Sequence, residues 1–236
     1  MTTTPQDFAQ RIETLRGQLA SQGRRVQQLL ETVFTAFFAG DVAAAATVEK
    51  LDDEVDRVDV QLEQECVALL TDATRQSAAL DPAQLRAVLT IVKINNELER
   101  IADAGVEVAQ RVSAVKAQKV SFPDTVRVMA NSAVGIIRDS TTSFARLDPR
   151  LAKIVLQSQH AVTAFKDAIL RDSEERIAKG AMSVDSAFQL HEVANQCELI
   201  ADHCTNIAEQ VIYQTTGAIV RHTEANWVEV PPARNV

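Results

Sequence analysis

Apolar residues recur every three or four positions through most of the chain, a spacing that places them on one face of an α-helix. The first long stretch shows the pattern in Val26, Leu29, Leu30, Val33, Phe34, Phe37 and Phe38. Glycine, or aspartate followed by proline, interrupts the pattern at intervals, and these residues are typical of helix ends and helix starts. The interruptions predict six helices, at about residues 5–39, 42–77, 82–120, 123–146, 149–179 and 183–222.

The six predicted helices fall into two groups of three, divided by a Ser-Phe-Pro break. Long helices with short connections pack as antiparallel neighbours in bundles. Residues 96–103 read NELERIAD and residues 195–202 read NQCELIAD, so five of eight positions coincide at an offset of 99 residues. The two segments occupy the same place in each group, which indicates an internal repeat. We therefore predict an all-α fold of two tandem three-helix bundles, residues 1–120 and 121–222, with a loose tail at 223–236.

The amino-acid composition favours a helical protein and argues against several functional classes. Hydrophobic residues make up 46% of the chain, and there are only 7 glycines and 6 prolines, which favours long helices with a packed core. The formal net charge of -8 argues against a nucleic-acid binder, which needs a basic surface to neutralise phosphates. No apolar run approaches the roughly 20 residues of a membrane span, and the N-terminus lacks the apolar region of a secretory signal. A cytoplasmic location is therefore predicted, with membrane association only through partners.

The three cysteines, Cys66, Cys197 and Cys204, are odd in number and form no CxxC pair. This pattern argues against a disulfide framework and against a zinc-thiolate site. Cys197 and Cys204 lie seven residues apart on one helical face among apolar residues, so we expect the cysteines to be small core residues.

Acidic residues four positions apart carry the chemistry that the sequence offers. Glu99 and Asp103 form one such pair, and Glu198 and Asp202 form the equivalent pair of the repeat. Carboxylates at this spacing lie one turn apart on the same helix face and repel each other. A cation bound against them would remove the repulsion, and hard oxygen ligands suit magnesium, calcium, manganese or iron. The alternative is that these residues form the solvated face of an acidic helical protein.

The second predicted helix adds Asp52 and Asp56 at the same spacing, and antiparallel packing on the third helix would make the acidic stripes face each other. Catalytic and nucleotide-binding motifs are missing, since the sequence has no HExxH, P-loop, GxGxxG or Glu-x-x-His pair. His203 points about 100° away from Asp202 on a helix, where it either orients a neighbour or belongs to the core. No enzyme activity is predicted.

Segments in both halves resemble the paired signatures of the PhoU family. Residues 98–103, LERIAD, and residues 198–209, ELIADHCTNIAE, are similar to the family pattern LERIxDHxxNIAE. Residues 211–217, VIYQTTG, resemble the family's close of the last helix. The resemblance covers about residues 8–222 and implies two three-helix bundles side by side. It also implies a negative regulator of the phosphate-starvation response, acting between a phosphate transporter and a sensor histidine kinase.

The resemblance implies a metal role as well, because some PhoU proteins bind multinuclear iron or zinc clusters through acidic surface motifs. The matching positions, predicted as ligands for iron, zinc, manganese or magnesium with no organic cofactor, are Asp52, Asp56, Glu99, Asp103, Glu198 and Asp202. The sequence departs from the family at Ala104, where a histidine is usual. It also departs in the fifth helix, where Asp167 and Arg171 stand at the place of an acidic pair and the arginine would repel a cation.

The resemblance, together with the lack of catalytic motifs, implies a non-enzymatic regulator of phosphate uptake and phosphate-starvation signalling. Its predicted partners are a phosphate transporter subunit, a sensor histidine kinase and a second copy of the chain in a homodimer, with metal-bound acidic helix faces as contact surfaces. The alternatives are a metal-carboxylate enzyme or metal store in a helical bundle, and a purely structural helical scaffold.

Overall fold

Seven helices and one β-hairpin make up the part of the chain that the computed structural model describes, residues 5–223 and 226–230. In chain order the elements are α1 (Pro5–Ala39), α2 (Val42–Ala45), α3 (Val48–Arg75), α4 (Pro82–Gln118), α5 (Asp124–Arg146), α6 (Pro149–Ala178), α7 (Val184–Thr216), β1 (Ile219–Thr223) and β2 (Asn226–Val230). The six long helices confirm the predicted fold class. Within these residues, no helix combines the length and the apolar composition that a membrane crossing requires.

Several helix starts are set by side chains that satisfy the free backbone N–H groups of the first turn. The Asp81 carboxylate accepts a hydrogen bond from the N–H of Gln84, whose side chain accepts one from the N–H of Asp81 in return. This capping box opens α4, with Pro82 in its first turn. Asp148 and Ser183 accept equivalent bonds at the starts of α6 and α7. The predicted starts of these three helices are therefore confirmed.

The predicted second helix is divided in two. The chain turns at Ala46 and Thr47, so α2 ends at Ala45 and α3 begins at Val48. The Asp41 carboxylate accepts hydrogen bonds at the start of α2, whereas Thr47 makes no side-chain capping bond at the start of α3. The short α2 thus acts as the connection between α1 and the long α3.

The last helix is shorter than predicted. The sequence pattern predicts a helix to about His222, but α7 ends at Thr216. Gly217 follows in the left-handed conformation, with φ of 74°, which glycine adopts without the steric cost that other residues incur. The glycine therefore stops α7 and turns the chain towards β1.

A β-hairpin follows α7 and replaces part of the predicted loose tail. β1 pairs antiparallel with β2, with Ile219 opposite Val230. Val220 is buried, and β-branched residues such as these favour extended backbone. Residues 231–236 of the predicted tail lie outside the described residues.

The long helices pack as two antiparallel bundles. α1, α3 and α4 form the first bundle, and α5, α6 and α7 form the second. The bundles meet along α4 with α7 and along α1 with α5. At the second seam a Cβ on Gly23 of α1 would stand only 2.5 Å from Thr141 Cγ2 of α5, so the missing side chain permits close approach. The buried apolar side chains of both bundles form one continuous core.

All three cysteines are free and buried, which confirms that they are core residues. Cys66 lies on α3, and Cys197 and Cys204 lie on α7. Burial raises the pKa of the Cys66 thiol to about 11 and the pKa values of Cys197 and Cys204 to about 12. These thiols are therefore protonated at neutral pH.

Candidate functional site

Four acidic residues of the first bundle lie on one surface where α3 runs antiparallel to α4. We call Asp52 and Asp56 of α3, with Glu99 and Asp103 of α4, the first acidic face. Burial, and after it the charges of Asp56 and Asp103, raise the pKa of Asp52 to about 6. The structure thus brings together the four candidate ligands that the sequence places in the first half.

Burial and neighbouring charges also raise the pKa values of Asp56 and Glu99. For both residues burial is the largest cause, and the charge of Asp103 follows it. The charge of Asp103 thus disfavours ionisation of Asp52, Asp56 and Glu99, because like charges are held close together. A cation or a basic surface against the face would remove that repulsion.

The carboxylates of the first acidic face are not neutralised by ion pairs within the described part of the chain. No described residue forms an ion pair with any of its four members. The Oδ1 atom of Asp52 is buried and has no hydrogen-bond partner among the described residues. Within those same residues, however, no three His, Cys, Asp or Glu side chains converge closely enough to hold a metal ion. The donor chemistry of a cation site is present on this face, without a preformed coordination shell.

Asp59 extends the first acidic face by one turn of α3, and the four-residue spacing alone does not single it out. Asn95 of α4 donates hydrogen bonds to its Oδ1 atom at 2.6 Å and to its backbone carbonyl at 2.9 Å. Burial, followed by the charges of Glu63 and Asp56, raises the pKa of Asp59. The available sequence signal is its position three residues after Asp56, on the same helix face.

The remaining two candidate ligands lie on a different surface, between α6 and α7. We call Glu198 and Asp202 of α7 the second acidic face. The ammonium of Lys166 lies 2.5 Å from Oε2 of Glu198, and the hydroxyl of Thr163 donates to Oε1 at 3.1 Å. Gln159 donates a hydrogen bond to Oδ1 of Asp202. The six predicted ligands therefore do not form one site, and the second pair is already bound by side chains of α6.

The residues of α6 that face this pair differ from the sequence-based prediction. The sequence places Asp167 and Arg171 at the position of the second acidic motif, but both side chains are exposed on α6. The helix instead presents Gln159, Thr163 and Lys166 to α7. Gln159 and Thr163 precede the predicted positions, Asp167 and Arg171, by eight residues, so the predicted α6 register was wrong by about two turns. The cationic group beside the pair is a lysine.

A polar contact whose partner the sequence did not identify joins the two bundles. Nδ1 of His203 on α7 lies 2.7 Å from Oε2 of Glu97 on α4, and Asn206 donates a hydrogen bond to the same oxygen at 3.0 Å. Burial alone would raise the pKa of Glu97, but the hydrogen bonds from His203 and Asn206 outweigh it and lower the pKa. His203 therefore contacts Glu97 across the seam, and only the general position of Glu97 in the repeat could have suggested this.

Comparison with known proteins identifies the family. A family model described as the PhoU domain matches the chain twice, at residues 19–112 and 126–211. The chain belongs to the PhoU family. One match lies within each bundle, so the internal repeat is a tandem pair of PhoU domains.

Named PhoU relatives are similar over nearly their whole length. The chain is 29% identical over 219 residues to a phosphate-specific transport system accessory protein PhoU homolog of Pseudomonas putida, covering 92% of this chain and 84% of the relative. It is 28% identical over 220 residues to the phosphate-specific transport system accessory protein PhoU of Escherichia coli K12, covering 91% and 88%.

Crystal structures of PhoU proteins share the fold. PhoU from Pseudomonas aeruginosa superposes with a TM-score of 0.81 at 26% identity, over 89% of this chain and 99% of that one. The phosphate transport system regulatory protein PhoU from Streptococcus pneumoniae gives a TM-score of 0.82 at 20% identity, over 91% and 100%. The two-bundle architecture of this chain is therefore that of the PhoU fold.

Proposed function

We propose that this chain is an accessory protein of a phosphate-specific transport system that regulates phosphate uptake through contacts with other proteins and not by catalysis. The observation that carries the proposal is the tandem pair of PhoU domains, in a chain whose relatives bear that description over most of its length. Its partners in this proposal are a phosphate transporter subunit and a sensor histidine kinase, and it works as a cytoplasmic homodimer and a negative regulator of the starvation response.

The first acidic face is the proposed contact surface for a basic partner. Its four carboxylates form no ion pair with described residues, and the chain as a whole carries a formal charge of -8. Charge complementarity of this kind speeds the encounter with a basic surface and orients it. A transporter subunit or kinase that presents lysine or arginine side chains would therefore dock here.

A divalent cation is the second part of the proposal. The carboxylate oxygens of Asp52, Asp56, Glu99 and Asp103 suit manganese, magnesium, iron or zinc, and the unpartnered Oδ1 of Asp52 would gain a ligand contact. A bound cation would supply positive charge that neutralises the face and allows a partner or a second copy to approach. The second acidic face does not fit such an ion, since Lys166 already holds Glu198.

The variant Glu99→Gln/Asp103→Asn tests both parts of the proposal. We expect its metal content, measured by plasma mass spectrometry, to fall several-fold, because two of the four donor groups lose their charge. Capture of the transporter ATPase subunit and of the kinase in a pull-down should weaken in parallel.

The matched control is Asp167→Asn/Glu174→Gln, which removes the same charge from exposed positions of α6 and should leave metal content and capture unchanged. Equal metal content and capture in both variants would show that the first acidic face has no such role. Failure of the wild-type protein to capture either partner would contradict the regulatory function itself.

A further inference from the structure

We infer that the ammonium group of Lys166 takes the place of a cation on the second acidic face, so that this half of the chain excludes metal ions and only the first half can draw one in. The inference rests on the proposed function only for the first half. For the second half it stands on contacts within the α6/α7 pair.

The two faces are built from equivalent helix pairs. In the first bundle, Glu99 on α4 lies near Asp59 on α3. One turn further along α4, Asp103 lies near Asp52, which comes earlier in α3. In the second bundle, Glu198 on α7 likewise contacts later positions of α6, and Asp202 contacts an earlier one. Because both pairs are antiparallel, their facing residues can be matched one by one.

The matching exchanges three acidic residues for residues without negative charge. Asp59, Asp56 and Asp52 are spaced by three and four residues along α3, and Lys166, Thr163 and Gln159 have the same spacing along α6. An ammonium, a hydroxyl and an amide thus stand where the first bundle has carboxylates. The first face brings like charges together. The second brings a positive group and two hydrogen-bond donors to the Glu/Asp pair that recurs in the repeat.

The two pairs differ in how many carboxylate oxygens remain free to bind an ion. Both carboxylate oxygens of Glu198 and Oδ1 of Asp202 already accept hydrogen bonds from α6. The side chains of Lys166 and Glu198 are only 24% and 23% exposed, so their charge-assisted contact is partly shielded from water. A divalent ion would have to displace the ammonium and would then lie beside a positive charge with only two carboxylates.

The test uses a background in which the first acidic face has been neutralised by Glu99→Gln/Asp103→Asn. In this background the second half is left unchanged, or carries Lys166→Met, or carries Gln159→Asp/Thr163→Asp/Lys166→Asp, which restores the acidic pattern of the first bundle. Each protein is titrated with Mn²⁺ by calorimetry, and bound Mn²⁺ is counted after equilibrium dialysis.

We expect no bound Mn²⁺ when the second half is unchanged and about one ion per chain in the triple-aspartate variant, lost again on addition of Glu198→Gln. Mn²⁺ binding by the unchanged second half that disappears with Glu198→Gln would overturn the inference. So would a triple-aspartate variant that is folded by circular dichroism and binds no Mn²⁺.

Lys166→Met in the otherwise wild-type chain gives an independent readout that does not require a metal. It should lower the melting temperature by several degrees in metal-free buffer, because Glu198 loses its cationic partner. An unchanged melting temperature would contradict the inference. Failure of the proposed cation role of the first face would show separately, as equal Mn²⁺ binding by the wild-type chain and by Glu99→Gln/Asp103→Asn.

Discussion

At the scale of single residues, the two acidic faces differ in whether their carboxylates have partners. Glu198 is held by Lys166 and Thr163. Asp52 has an oxygen that is buried without a partner, and its pKa is raised to about 6. A charge in that position opposes folding, so the residue is retained at a cost in stability.

The raised pKa of Asp52 predicts a specific pH dependence. Its folded value of about 6 lies above the usual value of 3.8, so the folded state binds the proton more tightly than the unfolded chain does. The contribution of Asp52 to stability is therefore greatest below about pH 4, falls as the pH rises to about 6, and stays low above that. Asp52→Asn should accordingly raise the melting temperature at pH 7.5 and change it little at pH 4, in buffer with a chelator.

The control for this experiment is Asp167→Asn, at an exposed position of α6, which should not alter how the melting temperature depends on pH. Circular dichroism melts at pH 4, 5, 6 and 7.5 suffice. A stabilisation by Asp52→Asn that is the same at every pH would show that folding does not raise the pKa of Asp52.

At the scale of helices, close approach of α1 and α4 requires a residue without a side chain. A Cβ on Gly105 of α4 would stand 2.6 Å from Cδ2 of Leu29 and 2.9 Å from Cδ2 of Leu30. Both leucines are fully buried, so they have little room to move aside. The packing distance between α1 and α4 therefore requires a glycine in the middle of a 37-residue helix, where glycine is otherwise unfavourable.

Gly105→Ala should destabilise the protein by about 1–3 kcal/mol, because the extra methyl group overpacks the core. Gly17→Ala in α1 is the matched control: a Cβ there meets nothing within 4 Å, and the substitution should stabilise the helix by up to about 1 kcal/mol. Urea denaturation measures both. Equal effects of the two substitutions would contradict the close packing of α1 on α4.

The elements that the sequence predicts well are those whose signals are local. The helix starts at Pro82 and Pro149 were predictable because an aspartate precedes a proline in each. The break before α3 was not, because Thr47 makes no capping bond and its neighbours are alanines that favour helix. The hairpin was missed because the predicted helix was extended past Gly217 to His222, although a glycine is a typical helix end and here ends α7.

The candidate site, too, was predictable only where its signals are local. The first acidic face follows from two four-residue spacings and one short connection between α3 and α4, all readable in the sequence. The partners of the second face depend on how far α6 is shifted along α7, which places Gln159 and Thr163 against the pair instead of Asp167 and Arg171. The contact of Glu97 with His203 depends on how the two bundles dock, which no local pattern specifies.

At the scale of the whole molecule, two PhoU domains with the same helix order carry different charges and are joined along two seams. α4 packs on α7, where Glu97 meets His203 and Asn206, and α1 packs on α5, where Gly23 meets Thr141. Both seams are continuous with the core of the bundles. The domains therefore depend on each other for burial of their apolar surfaces.

A chain cut to residues 1–120 should not form a stable monomer, because the sides of α1 and α4 that meet the second bundle would face water. Light scattering coupled to size-exclusion chromatography should show association or aggregation, and circular dichroism a broad melt, with the full chain as the reference. A cooperative melt from a monomer of residues 1–120 would show that one PhoU domain is self-sufficient.

The buried cysteines give each bundle its own chemical reporter. A thiol reagent attacks the thiolate, and the protonated, enclosed sulfur of Cys66, Cys197 or Cys204 can react only when the surrounding helices separate. The alkylation rate of Cys66 thus measures how often the first bundle opens, and the rates of Cys197 and Cys204 measure it for the second. Labelling in the presence and absence of a binding partner would reveal which bundle the partner holds closed, without any engineered probe.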